Sequence, residues 1–133
     1  MNMATRGIRN CNPLNIRRNP ANSWRGLRSE QEDPDFCQFL SMTLGLRAAI
    51  KLLQNYIKGG HNSVRKIITR WAPPSENDTE MYIHHVCTLT GIAPDTVLHN
   101  ARWTIYHLVK AMAYMESGYK VTDEAFCEAW RLL

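Results

Sequence analysis

The last two-thirds of the chain carries apolar residues at intervals of three and four positions, the spacing of an amphipathic α-helix. In the first such stretch, Leu46, Leu53 and Ile57 share one face, and a glycine pair ends the pattern. Four more stretches follow, and we predict a helix for each. The polar residues expected to begin the five helices are Thr43, Ser63, one of Asn77 to Thr79, Asn100 and Thr122, and the breaks after the first four are Gly59-Gly60, Pro73-Pro74, Gly91 and Gly118.

The first third of the chain shows no such periodicity. Asn-Pro pairs at 12–13 and 19–20 indicate turns within residues 7–40. A weak alternation over 35–40 predicts a short strand, which we expect to pair with 24–27 in a small hairpin. The predicted fold class is therefore mainly α, with about five helices and a small N-terminal β or irregular lobe.

Length and composition favour a single globular domain over 1–133. The chain has 133 residues, of which 44% are hydrophobic and 21% charged. No run approaches the ~18 consecutive apolar residues of a membrane-spanning helix, so we predict no membrane span. The first six residues contain no apolar segment of the secretory type, so we expect no signal peptide and synthesis in the cytoplasm.

The cysteine pattern gives no sign of a metal or redox site. Cys11, Cys37, Cys87 and Cys127 are far apart and form no CxxC or CxxH pair. Two disulfides would be possible in an oxidising compartment, but the lack of a visible signal peptide favours free thiols. We predict neither a metal nor a cofactor.

The net charge of +4 is unevenly distributed. Residues 1–29 contain six arginines and no acid, whereas residues 30–35 contain four acids. An arginine-rich segment can bind nucleic-acid phosphates, adsorb to another polyanion such as a bacterial cell wall, or form an ordinary solvated surface. Nucleic acid is the weakest of these, because Trp24 is the sole aromatic residue before Phe36 and base stacking needs aromatic side chains.

Glu116 is the first candidate for chemistry, because it lies near the end of the fourth predicted helix. The negative end of the helix dipole, with Met112, Met115 and Tyr119 nearby, would favour the protonated acid. A carboxylic acid that is protonated near neutral pH can give its proton to the leaving oxygen of a glycosidic bond. The alternative is an ordinary glutamate on the solvent side of the helix.

Two other segments are candidates for a sugar-binding groove. Asn12 and Asn15 offer amide groups to acetamido and hydroxyl groups, although an Asx-rich loop often bonds its own backbone. Trp71 and Tyr82 offer flat faces to pyranose rings, and Asn77 lies between them. The alternative for this second segment is a helix break with two aromatic side chains in the core.

Together, these segments resemble a family of phage and prophage proteins that are usually labelled virion structural proteins and are thought to be lysozyme-like. The resemblance extends from Arg6 to about Gly118. The matching residues are the run Arg6–Arg17, Trp24–Gly26, Asp35-Phe36, Phe39, Gly45–Ala48, Tyr56, Trp71–Thr79 and Tyr82. This resemblance implies a single lysozyme-like domain.

A more distant similarity concerns lytic transglycosylases and bacterial glucosaminidases. They carry their acid in a helix-end Glu-Ser-Gly, which is similar to Glu116-Ser117-Gly118. The segment Asn12–Ile16 is similar to one that follows the acid in glucosaminidases, and Tyr82 to a tyrosine of the transglycosylases. Here the asparagine-rich segment comes first and the acid last. The similarity therefore implies a circularly permuted lysozyme-like fold whose termini are neighbours.

We accordingly expect a hydrolase of peptidoglycan glycan strands, a muramidase or a lytic transglycosylase, with Glu116 as general acid and base. Glu30 or Asp35 would be the second carboxylate, unless the substrate's acetamido group takes that role and these acids form a solvated turn. The expected partners are peptidoglycan and other virion or secretion-apparatus proteins, with delivery by a virion, a holin or a secretion apparatus. The alternatives are a non-catalytic virion or cell-wall-binding module and, last, a nucleic-acid-binding protein.

Overall fold

A computed structural model describes residues 4–133; the domain predicted over 1–133 is thus described apart from its first three residues, on which the expectation of no signal peptide partly rests. Within the described range the chain forms six helices, which confirms the mainly α class. They are α1 (Arg6–Arg9), α2 (Met42–Lys58), α3 (Val64–Trp71), α4 (Thr79–Thr90), α5 (Arg102–Ser117) and α6 (Asp123–Arg131). The five predicted helices correspond to α2 to α6.

Polar side chains set most of the helix starts. Ser63 caps α3 as predicted, and Asp78 caps α4; each accepts a hydrogen bond from the backbone amide three residues further on. Ser41, and not Thr43, caps α2, so this helix begins earlier than predicted. Asn100 does not cap α5, which begins without a side-chain cap.

The core lies where α2 and α5 pack together, with α3 and α6 against α2, and α4 against α3 and α5. Each long helix buries one face, as the spacing of its apolar residues requires. The largest fully buried side chains are Phe39, Phe126, Leu14, Leu46, Ile50, Leu53, Ile67, Ile68, Ile105, Leu108, Met112 and Val64. Because Leu14 and Phe39 precede α2, the N-terminal lobe and the helices share one core.

The N-terminal lobe consists of α1 and loops joined by two isolated antiparallel bridges. One bridge pairs Leu27 with Phe39, which confirms the predicted neighbours, although the pairing is a single bridge and not a hairpin. The other pairs Arg17 with Phe36. Helix α1 is one turn long and therefore too short to show a hydrophobic period, so the sequence pattern does not predict it.

The arginine-rich segment is folded into this lobe and is not a free basic arm. Five of its arginines donate hydrogen bonds to residues within 4–133: Arg6, Arg9, Arg18, Arg25 and Arg28. The guanidinium carbon of Arg17 lies 5.4 Å from the centroid of the Phe36 ring. The charge pattern of the sequence therefore belongs largely to contacts within one folded lobe.

Asp33 is the centre of the contact between the basic and the acidic segments. Its side chain, 7% exposed, accepts hydrogen bonds from Arg6 at 2.5 and 2.6 Å and from Asn10 at 2.9 Å. The backbone amides of Asp35 and Phe36 also donate to it at 2.9 Å. The hydrogen bond from Arg6 is the main cause that holds the pKa of Asp33 well below its ordinary value, against the opposite effect of burial.

This carboxylate should make the protein less stable in acid. Because the folded-state pKa lies below the unfolded-state value of about 3.9, the contribution of Asp33 is complete above that value and is lost as the pH falls below it. We expect the urea midpoint to fall between about pH 7 and about pH 3, and to fall less in Asp33→Asn, which starts from a lower midpoint at neutral pH. Urea titrations of both proteins measure this; equal falls would contradict it.

Candidate functional site

The C-terminal turn of α5, which carries Glu116, is held by the N-terminal segment. Asn15 Nδ2 donates to the backbone oxygen of Glu116 at 3.1 Å, and Thr5 Oγ1 donates to that of Ser117 at 2.7 Å. In the opposite direction, Ser117 Oγ donates to the Pro13 carbonyl at 2.8 Å. The last carbonyls of a helix lack partners within the helix, so these side chains satisfy them. The loop 12–16 therefore lies beside Glu116.

Close packing at this contact also explains a glycine in α1. An added Cβ on Gly7 would lie 1.9 Å from Ser117 Oγ and 2.9 Å from Asn15 Oδ1. No larger residue fits between these two side chains without displacing one of them. The N-terminal turn thus approaches the end of α5 as closely as backbone atoms permit.

Two aromatic side chains hold the carboxylate of Glu116. Tyr82 donates its hydroxyl hydrogen to Oε2 at 2.8 Å, and Trp71 donates its indole N–H to the same oxygen at 3.2 Å. Tyr82 comes from α4 and Trp71 from the last position of α3. Three helices therefore converge on one oxygen atom.

This arrangement decides which oxygen of Glu116 can carry a transferable proton. The indole N–H of Trp71 can only donate, so Oε2 must accept. Burial, and after it the charge of Glu116, raises the pKa of Tyr82 well above its ordinary value, so the phenol keeps its proton. Oε1 receives no hydrogen bond from residues 4–133 and is not sealed from solvent. When Glu116 is protonated, the proton therefore belongs on Oε1.

A groove of about 520 Å³ opens beside Glu116. Its walls come from the N-terminal lobe (15–20, Asn22 and Phe36), from α2 (Leu52 and Tyr56), and from the end of α3 with the loop after it (70–72 and 76–77). The lining includes two carboxylates, Glu76 and Glu116, and three arginines, Arg17, Arg18 and Arg70. The lining therefore combines charged and amide groups with aromatic rings from both the N-terminal lobe and the helices.

Most of the predicted substrate contacts meet at this groove. Asn15, Trp71 and Asn77 line it together with Glu116, and Tyr82 joins them through its hydrogen bond to the carboxylate. Two predicted contacts do not line the groove: the ring of Tyr82, which meets the site only through the Glu116 carboxylate, and Asn12, which is fully buried.

The side-chain amide of Asn12 forms hydrogen bonds within the N-terminal lobe. Its Nδ2 donates to the carbonyls of Ile16 and Cys37 at 3.0 and 2.9 Å, and its Oδ1 accepts from the amide of Ile16 at 2.9 Å. Both amide hydrogens are used and the side chain is fully buried, so Asn12 shapes the loop and does not contact substrate. Asn12 therefore follows the alternative interpretation, an Asx residue that bonds the backbone of its own loop, whereas Asn15 donates to the end of α5.

Neither of the predicted second carboxylates lies at the groove. Asp35 pairs with Arg6 at 3.0 Å in the N-terminal lobe, and Glu30 is an exposed residue outside the groove lining. Glu76 lines the groove instead, in the loop that follows α3. The sequence does place Glu76 between the proline pair and Asn77, in the segment that carries the predicted sugar contacts Trp71 and Asn77, and this position could have indicated it.

The groups available for chemistry in the groove are carboxylates, amides, aromatic rings and guanidinium groups. Among the described residues, no group of three or more His, Cys, Asp or Glu side chains could hold a metal ion. The four cysteines, all within the described range, are free thiols. No helix in 4–133 combines the length and apolar character needed to cross a bilayer.

Comparison with known proteins gives one close relationship to a phage protein. No family model matches the chain. Over 121 residues the chain is 40% identical to protein P5 of Pseudoalteromonas phage PM2, and the alignment covers 89% of this chain and 74% of P5. The expected relationship to phage proteins is thereby confirmed, and the chain belongs to the family of protein P5 of Pseudoalteromonas phage PM2.

Proposed function

We propose that the protein cleaves the glycan strands of peptidoglycan, with Glu116 as acid and base. The observation that carries the proposal is the position of the Glu116 carboxylate, which two fixed donors hold by one oxygen at the side of a groove. Asn77 supplies an amide group to the same groove, and Asn15, whose Nδ2 donates to the Glu116 carbonyl, also lines it. A positioned carboxyl group beside amide and aromatic side chains is suited to the hydrolysis of a sugar polymer.

The dimensions and lining of the groove support a sugar ligand. Its volume of about 520 Å³ falls within the ~300–1,000 Å³ usual for ligand sites. Phe36, Tyr56 and Trp71 contribute ring surfaces, which suit the apolar faces of pyranose rings. The amide groups can pair with acetamido and hydroxyl groups at the ring edges.

Cleavage would begin with transfer of the Oε1 proton of Glu116 to the glycosidic oxygen, while the bond from that oxygen to the anomeric carbon breaks. The leaving sugar departs as an alcohol, and the sugar left behind carries the charge of an oxocarbenium ion. Glu116, now a carboxylate, then takes a proton from the attacking water or hydroxyl group, while the oxygen of that group bonds to the anomeric carbon. Attack by water gives a reducing end, and attack by the sugar's own 6-hydroxyl gives an anhydro sugar.

The positive charge of the intermediate needs a negative partner. Glu76 is the second carboxylate of the groove, and it replaces Glu30 and Asp35 in this proposed role. The substrate's acetamido group is the other candidate, since it can attack the anomeric carbon without a second protein carboxylate.

We extend the proposal to the fold: a lysozyme-like domain with permuted order of segments. The hydrogen bonds that join Thr5, Pro13 and Asn15 to the end of α5 support it, because they bring the first segment of the domain to the acid near its end. A permuted chain needs this neighbourhood if both segments are to border one groove.

A non-catalytic role is the second candidate: a virion component or a cell-wall-binding module with the same groove. The kinship with a phage protein supports it, since a virion component is a role expected among phage proteins. The hydrogen bonds of Tyr82 and Trp71 to Glu116 would then serve to join α3 and α4 to α5. In either role the protein would reach the wall with a virion, through a holin, or by a secretion apparatus.

Mass spectrometry of peptidoglycan incubated with the purified protein tests the two roles. Reducing ends or anhydro sugars, absent from a heat-denatured control, are expected for cleavage, and their masses identify the bond that is cut. Retention of the protein on insoluble peptidoglycan without any released fragment would support the binding module and reject the hydrolase.

A further inference from the structure

Two guanidinium groups in the groove form no hydrogen bond or ion pair with the part of the chain that the structure describes. Arg17 and Arg70 both line it, and neither guanidinium group forms a hydrogen bond or ion pair with residues 4–133, although that of Arg17 contacts the Phe36 ring. The third arginine, Arg18, already donates to the Asp33 carbonyl at 3.0 Å. Arg17 and Arg70 therefore keep their donors available to a ligand.

Arg70 shares the lining of the groove with the phenol of Tyr56. Burial raises the pKa of Tyr56, and the positive charge of Arg70 acts in the opposite direction. Tyr56 from α2 and Arg70 from α3 line the same groove. A cation and a hydroxyl donor in one groove form a suitable place for an anionic oxygen.

We propose that Arg70, assisted by Tyr56 and faced by Arg17, binds a carboxylate that the glycan strand carries. This inference rests on the proposed glycan-binding function and specifies its substrate class. In peptidoglycan the carboxylate comes from one of two sources: the lactyl group of a muramic acid residue that carries no peptide, or the peptide stem that is amide-linked to this group in the other residues. A guanidinium group binds carboxylates through two parallel N–H bonds, so a neutral polymer of N-acetylglucosamine cannot replace this ligand at equal affinity.

The proposal is tested by calorimetric titration with three glycans of equal length in the Glu116→Gln background, which prevents consumption of the ligand. The glycans are peptide-free strands with lactyl carboxylates, strands with peptide stems, and chitin oligosaccharides without any carboxylate. Arg70→Gln should weaken binding of carboxylate-bearing strands about tenfold, the loss of one charge-assisted contact, and should leave chitin binding unchanged. Arg131→Gln, the same change on an exposed residue of α6 outside the groove, should alter neither.

The pattern of losses identifies the source of the carboxylate. A loss with the peptide-free strands alone indicates the lactyl carboxylate, a loss with the peptide-bearing strands alone indicates a carboxylate of the stem, and a loss with both indicates that the subsite accepts either carboxylate. Equal losses with all three glycans, no loss with any, or a parent protein that does not prefer carboxylate-bearing strands to chitin would overturn the proposal. A clear Arg70 effect together with the absence of cleavage products from the unmodified protein would reject the hydrolase and retain this subsite.

Discussion

Glu116→Gln should lower the rate of glycan cleavage by roughly a thousandfold, within the ~10²–10⁴-fold range that general acid–base catalysis supplies. The glutamine oxygen can still accept the hydrogen bonds of Tyr82 and Trp71, so the three helices stay joined. The amide that replaces Oε1 has no proton of suitable acidity to give. Release of reducing ends or anhydro sugars measures the loss, and a thermal melt close to that of the parent shows that the fold is intact.

Glu128→Gln is the matched control, since Glu128 is exposed on α6, outside the groove lining. It should cleave at the parental rate.

Tyr82→Phe removes one of the two donors to Oε2 and should reduce the rate of cleavage by about tenfold, because the loss of one positioning hydrogen bond costs about 1.4 kcal/mol. A Glu116→Gln protein that cleaves as fast as the parent would reject Glu116 as the acid.

The helices of this fold were predictable because their signals are local. Ser63 and Asp78 cap the amides of the turn that they precede, and Gly118 adopts the left-handed conformation, with φ of 63°, that ends α5. Such signals depend on a few neighbouring residues. Local signals do not fix the start of α2, because Ser41 and Thr43 are both good N-cap residues, and in the structure Ser41 accepts the hydrogen bond of the Leu44 amide.

The polar residues of the site were only partly predictable, because their roles depend on distant contacts. Asn12 and Asn15 are three positions apart in one loop, yet Asn12 turns into the lobe, whereas Asn15, with φ of 53°, donates to the end of α5. The sequence does not distinguish them. Similarly, Asp35 is taken up by Arg6, which lies in a helix too short to predict, and Glu76 takes its place at the groove.

Gly45 lies in α2 where the backbone of Cys11 packs against the helix, and no side chain should be tolerated at this position. An added Cβ would lie 1.8 Å from the backbone oxygen of Cys11 and 3.0 Å from Pro13 Cδ. Real contacts at 1.8 Å do not occur, and the obstacle is backbone, which cannot rotate away as a side chain can. The loop and the helix would have to separate.

We expect Gly45→Ala to lower the free energy of unfolding by about 3 kcal/mol, the upper part of the range for overpacking. Alanine is favoured over glycine within a helix by about 1 kcal/mol, which is too little to offset the overlap. Urea denaturation measures the change. Gly59→Ala is the control, because its added Cβ would lie 3.2 Å from the Asn55 carbonyl oxygen, an overlap that a small shift relieves.

The same substitution should also reduce activity beyond its effect on the folded fraction. The loop that Gly45 supports continues through Pro13 to Asn15, and these residues hold the turn that carries Glu116. When the loop moves away from α2, that turn loses its supports and the carboxylate loses its fixed position in the groove. Since misplacement of about 1 Å can cost ~10²-fold in rate, a Gly45→Ala protein that remained folded and fully active would contradict the role assigned to the N-terminal segment.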